Sequence, residues 1–259
     1  FDIDVLLFDD TQNTLEKDIT IPVHFLKIKG VGALYFLPVS KGIRKLVASK
    51  KILLAFKRVF NPMHIKLMKK KKYPEQIIWN NVKDDIEKLN QYYDIAIAYC
   101  QGLPTFFVID KVSATYKIAW MHSDAAKQVH DVSYTLKYYQ KYNLINCVSD
   151  KAAESLKKLY PSVCNRISTF NNIVDISGIQ KLAKEKSEFD LQKHALNICT
   201  VGRLCEAKGY YLAIETAVYL REKDLDFIWY VVGEGGLRDN LVKKINENGL
   251  QNQFIILGA

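Results

Sequence analysis

Short apolar runs alternate with helical stripes along this chain, almost from its first residue. Residues 3–8 and 23–28 have the length and β-branched content of strands, with a polar loop at 9–13 between them. Residues 41–72 interleave cations with Leu46, Ile52, Leu53, Leu54, Phe56, Val59 and Phe60, and Pro62 is expected to split them into two helices. The spacing of Val82, Ile86 and Leu89 predicts an amphipathic helix over 79–93. Strands are then expected at 94–99, 117–121, 144–148 and 166–170, and helices at 134–142 and 152–159, the latter capped by Ser149. Residues 106–109 suit helix or strand equally. A charged, helix-prone connection follows at 181–193. Strands at 198–201, 227–232 and 254–257 then alternate with a helix carrying Ala213, Ile214, Ala217 and Leu220 on one face. A second helix spans 237–248 and is stopped by Gly249. Strand–helix–strand alternation of this kind predicts an α/β fold on parallel sheets.

Candidate chemistry collects where the second half turns from strand to helix. Open α/β sheets bind ligands at the carboxyl ends of their strands. Gly202 ends one strand and allows close backbone approach; Arg203 and Lys208 follow at once, and Gly209 opens the helix. The free amides and positive dipole end of that helix favour an anion. Arg203 offers a planar fork for phosphate oxygens and Lys208 a mobile point charge, so the expected occupant is a diphosphate. In the other half, the strand at 117–121 delivers His122, Ser123 and Asp124 at its carboxyl end. A neutral imidazole there can accept or donate a hydrogen bond. His24, His64, His130 and His194 show no partner pattern, and their spacing makes no metal site.

The string Val-Gly-Arg-Leu, a short spacer, Lys-Gly, and later Val-Val-Gly-Glu-Gly resembles the donor-binding half of retaining GT-B glycosyltransferases of the group 1 family. The resemblance is strong over 197–258 and looser over 94–175. It implies two facing Rossmann-like domains, at 1–172 and 173–259, with the second incomplete and a strand missing before the first. Arg203 and Lys208 would hold the diphosphate of a nucleotide-sugar donor, with Gly202, Gly233, Glu234 and Gly235 lining the donor site. His122, in Lys-Ile-Ala-Trp-Met-His-Ser-Asp, would face the donor sugar, and the chain would hinge at 171–175. The implied function is retaining transfer of a hexosyl-type sugar to a glycan or lipid-linked acceptor, in cell-surface polysaccharide synthesis. No cofactor and no divalent metal are expected, because the two cations can do what a metal does elsewhere. The family commonly places Pro after Gly-Glu-Gly, where this chain has Gly236. Its Glu-x7-Glu motif would fall beyond Ala259, so turnover by this chain alone is not expected.

Charge changes the picture in one place. Of 37 basic residues twelve lie in 41–72, which hold no acid, leaving 25 cations against 28 acids elsewhere. The basic character is therefore local. Three readings are open for this segment: a solvated helix face, attachment to an anionic membrane surface, or nucleic-acid binding. The last lacks any zinc-finger spacing or aromatic RNA-binding motif. The five cysteines form no CxxC pair, and four lie in apolar or helix-flanking text, so buried free thiols and a reducing compartment are expected. With no signal peptide and no bilayer-length apolar run, the expected location is the cytosol or the cytosolic face of a membrane. A non-catalytic basic module is the alternative function. A dehydrogenase is disfavoured because no Gly-x-Gly-x-x-Gly follows a strand.

Overall fold

The computed structural model describes residues 1–8, 19, 21–67, 74–124, 131–185 and 196–259, apart from the side chains of 61–67. The chain divides into two compact units, Phe1–Val174 and Asp175–Ala259. In the first, β1 (Asp4–Leu7) pairs in parallel with β2 (His24–Lys27). A 3-10 turn (Val31–Phe36) leads into the basic helices α1 (Val39–Ala48) and α2 (Ile52–Leu67), followed by α3 (Pro74–Val82). A four-stranded parallel sheet then forms from β3 (Tyr92–Ala98), β4 (Ser113–Met121), β5 (Leu144–Cys147) and β6 (Ile167–Thr169), in that order. Between those strands run α4 (Leu103–Lys111), α5 (Val132–Tyr139) and α6 (Asp150–Leu159).

One core serves this unit. Trp79, Val82, Phe106, Phe107, Ala119, Met121, Ile145 and Leu156 are buried together. Period-2 alternation along β4 and β5 puts Ala119, Met121, Ile145 and Cys147 into it. Ser149 caps α6 by accepting from the Ala152 amide at 3.3 Å, as its position before the helix predicted.

The second unit opens with α7 (Ile176–Leu182), whose first turn is capped by Asp175. Hydrogen bonds from the Gly178 amide and the Ser177 hydroxyl hold the Asp175 carboxyl below its ordinary range. Strands β7 (Leu196–Val201), β8 (Phe227–Val232) and β9 (Phe254–Gly258) form a three-stranded parallel sheet with β8 central. Helices α8 (Tyr210–Glu222) and α9 (Arg238–Glu247) connect them. The core here is Leu204, Tyr210, Ile214, Ala217, Phe227, Val231, Leu241, Ile245, Leu250 and Phe254. Gly249, at φ 63°, ends α9 as expected. Both units thus have the α/β, parallel-sheet fold class that the sequence predicts.

Three expectations are corrected, and one left open is decided. Pro62 does not split the basic segment: α2 runs through it, and the break falls at Ser49–Lys51. Lys50 takes φ 58°, and the Lys51 amide bonds back to Leu46 O at 2.9 Å, which closes α1 as a C-cap. Proline inside α2 forgoes one bond to the residue 58 carbonyl, and the helix nonetheless continues to Leu67. The helix expected over 79–93 stops at Val82, passes through a 3-10 turn at Lys83–Asp85, and is extended by Ile86. Backbone packing captures that stretch: the Glu87 amide bonds Lys29 O at 3.1 Å, and Gly30 and Gly32 lie directly against 82–87. Residues 106–109, open to either structure by periodicity, are helical within α4. Finally, all five cysteines are free, but only Cys147 is buried; Cys100, Cys164 and Cys199 are exposed and Cys205 is half-buried. Apolar neighbours along the chain do not fix which face a residue takes. The part of the 181–193 connection beyond residue 185 lies outside the described residues. No described helix is long and apolar enough to cross a membrane.

Candidate functional site

Six of the expected site residues come together at the carboxyl edge of the second unit's sheet, where β7 and β8 end side by side. The Gly202 amide donates to Val232 O at 2.9 Å, and the Gly233 amide to Gly258 O at 2.7 Å. From Gly202 the chain turns through Arg203, the fully buried Leu204 and a 3-10 turn at Glu206–Lys208, and then enters α8. Gly209 is the N-cap at φ 69°, ψ 27°, the left-handed region glycine occupies without strain. It has no side chain to satisfy the first amides of α8, so that positive helix end is left open to a ligand.

Arg203 and Lys208 are both exposed on this loop, and among the described residues neither side chain has a hydrogen-bond or ion-pair partner. The Lys208 stem runs beside Gly202: a β-carbon at Gly202 would meet Cδ and Cε of Lys208 at 3.8 Å. Two unneutralised cations therefore stand with an uncapped helix N-terminus on one strand exit, an arrangement suited to a polyanion.

The glycines of Gly-Glu-Gly have a packing reason the motif alone did not disclose. A β-carbon at Gly233 would lie 1.9 Å from Gly202 O, and one at Gly235 would lie 2.4 Å from Leu204 O. The two loops are backbone against backbone, laced by Leu204 N to Glu234 O at 2.9 Å and Leu237 N to Leu204 O at 3.2 Å. Gly233 and Gly235 thus hold the cationic loop in place through this contact. Glu234 turns elsewhere: its Oε1 accepts from Arg238 Nη1 at 2.6 Å, an ion pair one helical turn apart.

Two residues that the sequence reading passed over frame this loop. Leu204 plugs the core between the loops, and the Tyr210 hydroxyl donates to Gly202 O at 2.7 Å, fixing the exit of β7. Burial raises the Tyr210 pKa, so its hydroxyl stays a donor. An apolar residue after Gly-Arg and an aromatic residue after Lys-Gly were the available signals.

His122 belongs to the first unit, at the carboxyl end of β4. Its Nε2 lies 2.7 Å from Tyr99 O, and a carbonyl only accepts, so Nε2 carries the proton. In the neutral ring Nδ1 is then an acceptor. The ring stacks on Trp120 at 6.4 Å and tilts against Tyr99 at 5.0 Å. Gln101 is a further participant that sequence missed: its Oε1 accepts from the His122 amide at 3.2 Å, while its Nε2 donates to Ser123 Oγ at 2.6 Å. Glu75 fills the space over Gly102, where a β-carbon would lie 1.8 Å from its Oε2. Burial raises the pKa of that carboxyl.

No protein-family model matches the chain. Among curated proteins it is similar to an uncharacterized glycosyltransferase of Methanocaldococcus jannaschii, 26% identical over 161 residues, covering 58% of this chain. The match covers 40% of that relative's length. Among solved structures it resembles Anabaena HepE in complex with UDP and glucose, at TM-score 0.53 and 14% identity. That match spans 98% of this chain and 61% of HepE. The fold is shared. S. aureus TarM matches over 63% of this chain and 32% of its own, at TM-score 0.46 and 20% identity.

Proposed function

We propose that this chain carries the donor-diphosphate site of a retaining glycosyltransferase. The enzyme would move a hexosyl-type sugar from a nucleotide donor to a glycan or lipid-linked acceptor in surface polysaccharide synthesis. The observation that carries the reading is the pair of unpartnered cations, Arg203 and Lys208, at an uncapped helix start on a parallel-sheet carboxyl edge. As the bond to the sugar breaks, negative charge grows on the departing diphosphate. Arg203 would take two of its oxygens through the guanidinium fork, and Lys208 would follow the leaving oxygen on its flexible stem. Preplaced positive charge lowers the barrier because it interacts more strongly with the transition state than with the donor. In this reading the two cations serve in place of a divalent metal. His122, held by Tyr99 and Gln101, would accept from a sugar hydroxyl through Nδ1. The glycosyltransferase relative and the UDP bound by HepE support UDP as the first nucleotide to try.

Calorimetric titration of the chain with UDP and GDP tests the site. Arg203→Ala and Lys208→Ala should each weaken diphosphate binding at least tenfold, about 1.4 kcal/mol. EDTA should leave binding unchanged. Unaltered affinity in both variants would remove the basis of the proposal. In a transfer assay with UDP-glucose, retention would be read from the anomeric coupling of the product.

A further inference from the structure

Over residues 52–60, helix α2 exposes most of its large apolar side chains and buries a charged one. Its inward face carries Leu54, Ala55 and a charged residue, Arg58, only 8% exposed. Its outward face carries Ile52, Leu53, Phe56, Val59 and Phe60, with Leu53 68% and Phe56 55% exposed. Spacings of three, four and seven place these five on one stripe, and the Phe56 and Phe60 rings lie 4.1 Å apart. A solvated helix face would show the opposite arrangement. Adjacent large apolar side chains of this kind form a patch on the order of a few hundred Å2, the size that marks an interaction site on a soluble surface.

The charges that adjoin the patch in sequence select its partner. Residues 39–60 contain no acid, and Lys41, Arg44, Lys45 and Lys50 are exposed on and just after α1. Among the described residues these four and Lys57 have no ion-pair partner; Lys51 alone is neutralised, by Asp85 at 2.5 Å. Val39 and Val47 add apolar exposure on α1. An exposed apolar stripe on α2, next in sequence to the unpaired cations of α1, matches an anionic lipid surface: headgroup phosphates would meet the cations while the apolar stripe enters the acyl boundary. An RNA would engage the cations but leave the five apolar side chains in water.

We propose that α1 and α2 form a membrane-docking surface for anionic lipid, with Leu53, Phe56 and Phe60 entering the bilayer. The surface belongs to the first unit and the diphosphate residues to the second, and vesicle binding is read without any donor, so either proposal can fail alone. The test is co-sedimentation of the full chain with vesicles of 30% phosphatidylglycerol in phosphatidylcholine, and with phosphatidylcholine alone. Binding should be at least tenfold tighter to the anionic vesicles and fall at least tenfold between about 0.05 and 0.5 M salt. The variant Leu53→Ser/Phe56→Ser, at exposed positions that leave the fold and UDP binding unchanged, should lose at least tenfold. A Phe56→Trp variant should shift its emission to the blue on anionic vesicles and be quenched by brominated lipid, which adhesion by charge alone would not produce. Equal binding to both vesicles, unchanged binding by the double serine variant, or no quenching would overturn the proposal. So would an RNA-only interaction, or a dimer in sedimentation velocity that the serine substitutions dissolve.

Discussion

Gly233→Ala is the sharpest test of how the cationic loop is held. The substitution adds one methyl group, and that carbon would sit 1.9 Å from Gly202 O, where real contacts essentially never fall below 3.0 Å. The obstacle is backbone, so no rotamer change relieves it, and the exits of β7 and β8 must part by roughly 1 Å, far more than close packing absorbs. The Gly202 amide to Val232 O bond, 2.9 Å in the native structure, then leaves the hydrogen-bonding range. The Tyr210 hydroxyl bond to Gly202 O is strained by the same movement. Two hydrogen bonds at about 1 kcal/mol each, together with the cost of placing alanine at positive φ, put the loss near 3 kcal/mol. Urea unfolding, with a slope of about 2 kcal/mol per M, should show the second unit's midpoint lowered by about 1.5 M. UDP affinity should fall as well, because Arg203 is one residue from the displaced carbonyl. Gly236→Ala is the control: a β-carbon there meets nothing within 4 Å, and φ is not positive, so stability should be unchanged. If Gly233→Ala unfolds where the native chain and Gly236→Ala do, the backbone-contact argument is wrong.

Two further predictions concern the first unit. Arg58 donates to Leu34 O at 2.7 Å and to Leu37 O, and stacks over Tyr35 at 5.2 Å, with burial lowering its pKa. Arg58→Met should therefore cost about 2–4 kcal/mol by leaving those carbonyls unpaired, read as a lower urea midpoint; a neutral result would show that water replaces the guanidinium. Burial pushes the Cys147 thiol from its ordinary 9.0 up to about 11. Iodoacetamide at pH 8 should therefore label Cys100, Cys164 and Cys199 well before Cys147, as mass spectrometry would show. The native state holds that proton more tightly than the unfolded chain does. The contribution is accordingly complete below about pH 9 and lost as pH rises through about 11. Tyr93, raised to about 12 by burial and by its bond to Asp4, acts in the same direction, so denaturation midpoints should fall across this alkaline range and not below it.

The sequence alone determined the α/β class and the position of the cationic loop. Apolar runs of strand length and a helical stripe are set by the local period of the backbone, so 227–232 and the face of α8 were legible without any tertiary knowledge. The exposed place of Arg203 and Lys208 at a strand exit was legible because a turn from strand to helix after glycine puts its residues on a surface loop. Tertiary structure decided the rest. Whether Gly233 and Gly235 serve a ligand or a neighbouring loop depends on what lies opposite them, and what lies opposite is residues 202–204, some thirty positions earlier in the chain. The end of α3 at Val82 was set by backbone bonds to residues near Gly30, and the proton on His122 by the Tyr99 carbonyl just past the end of β3. The basic segment shows the division most clearly. Its charge could be counted, but only packing revealed that Arg58 points inward and the phenylalanines outward, because a helical stripe records periodicity and not which side faces the core.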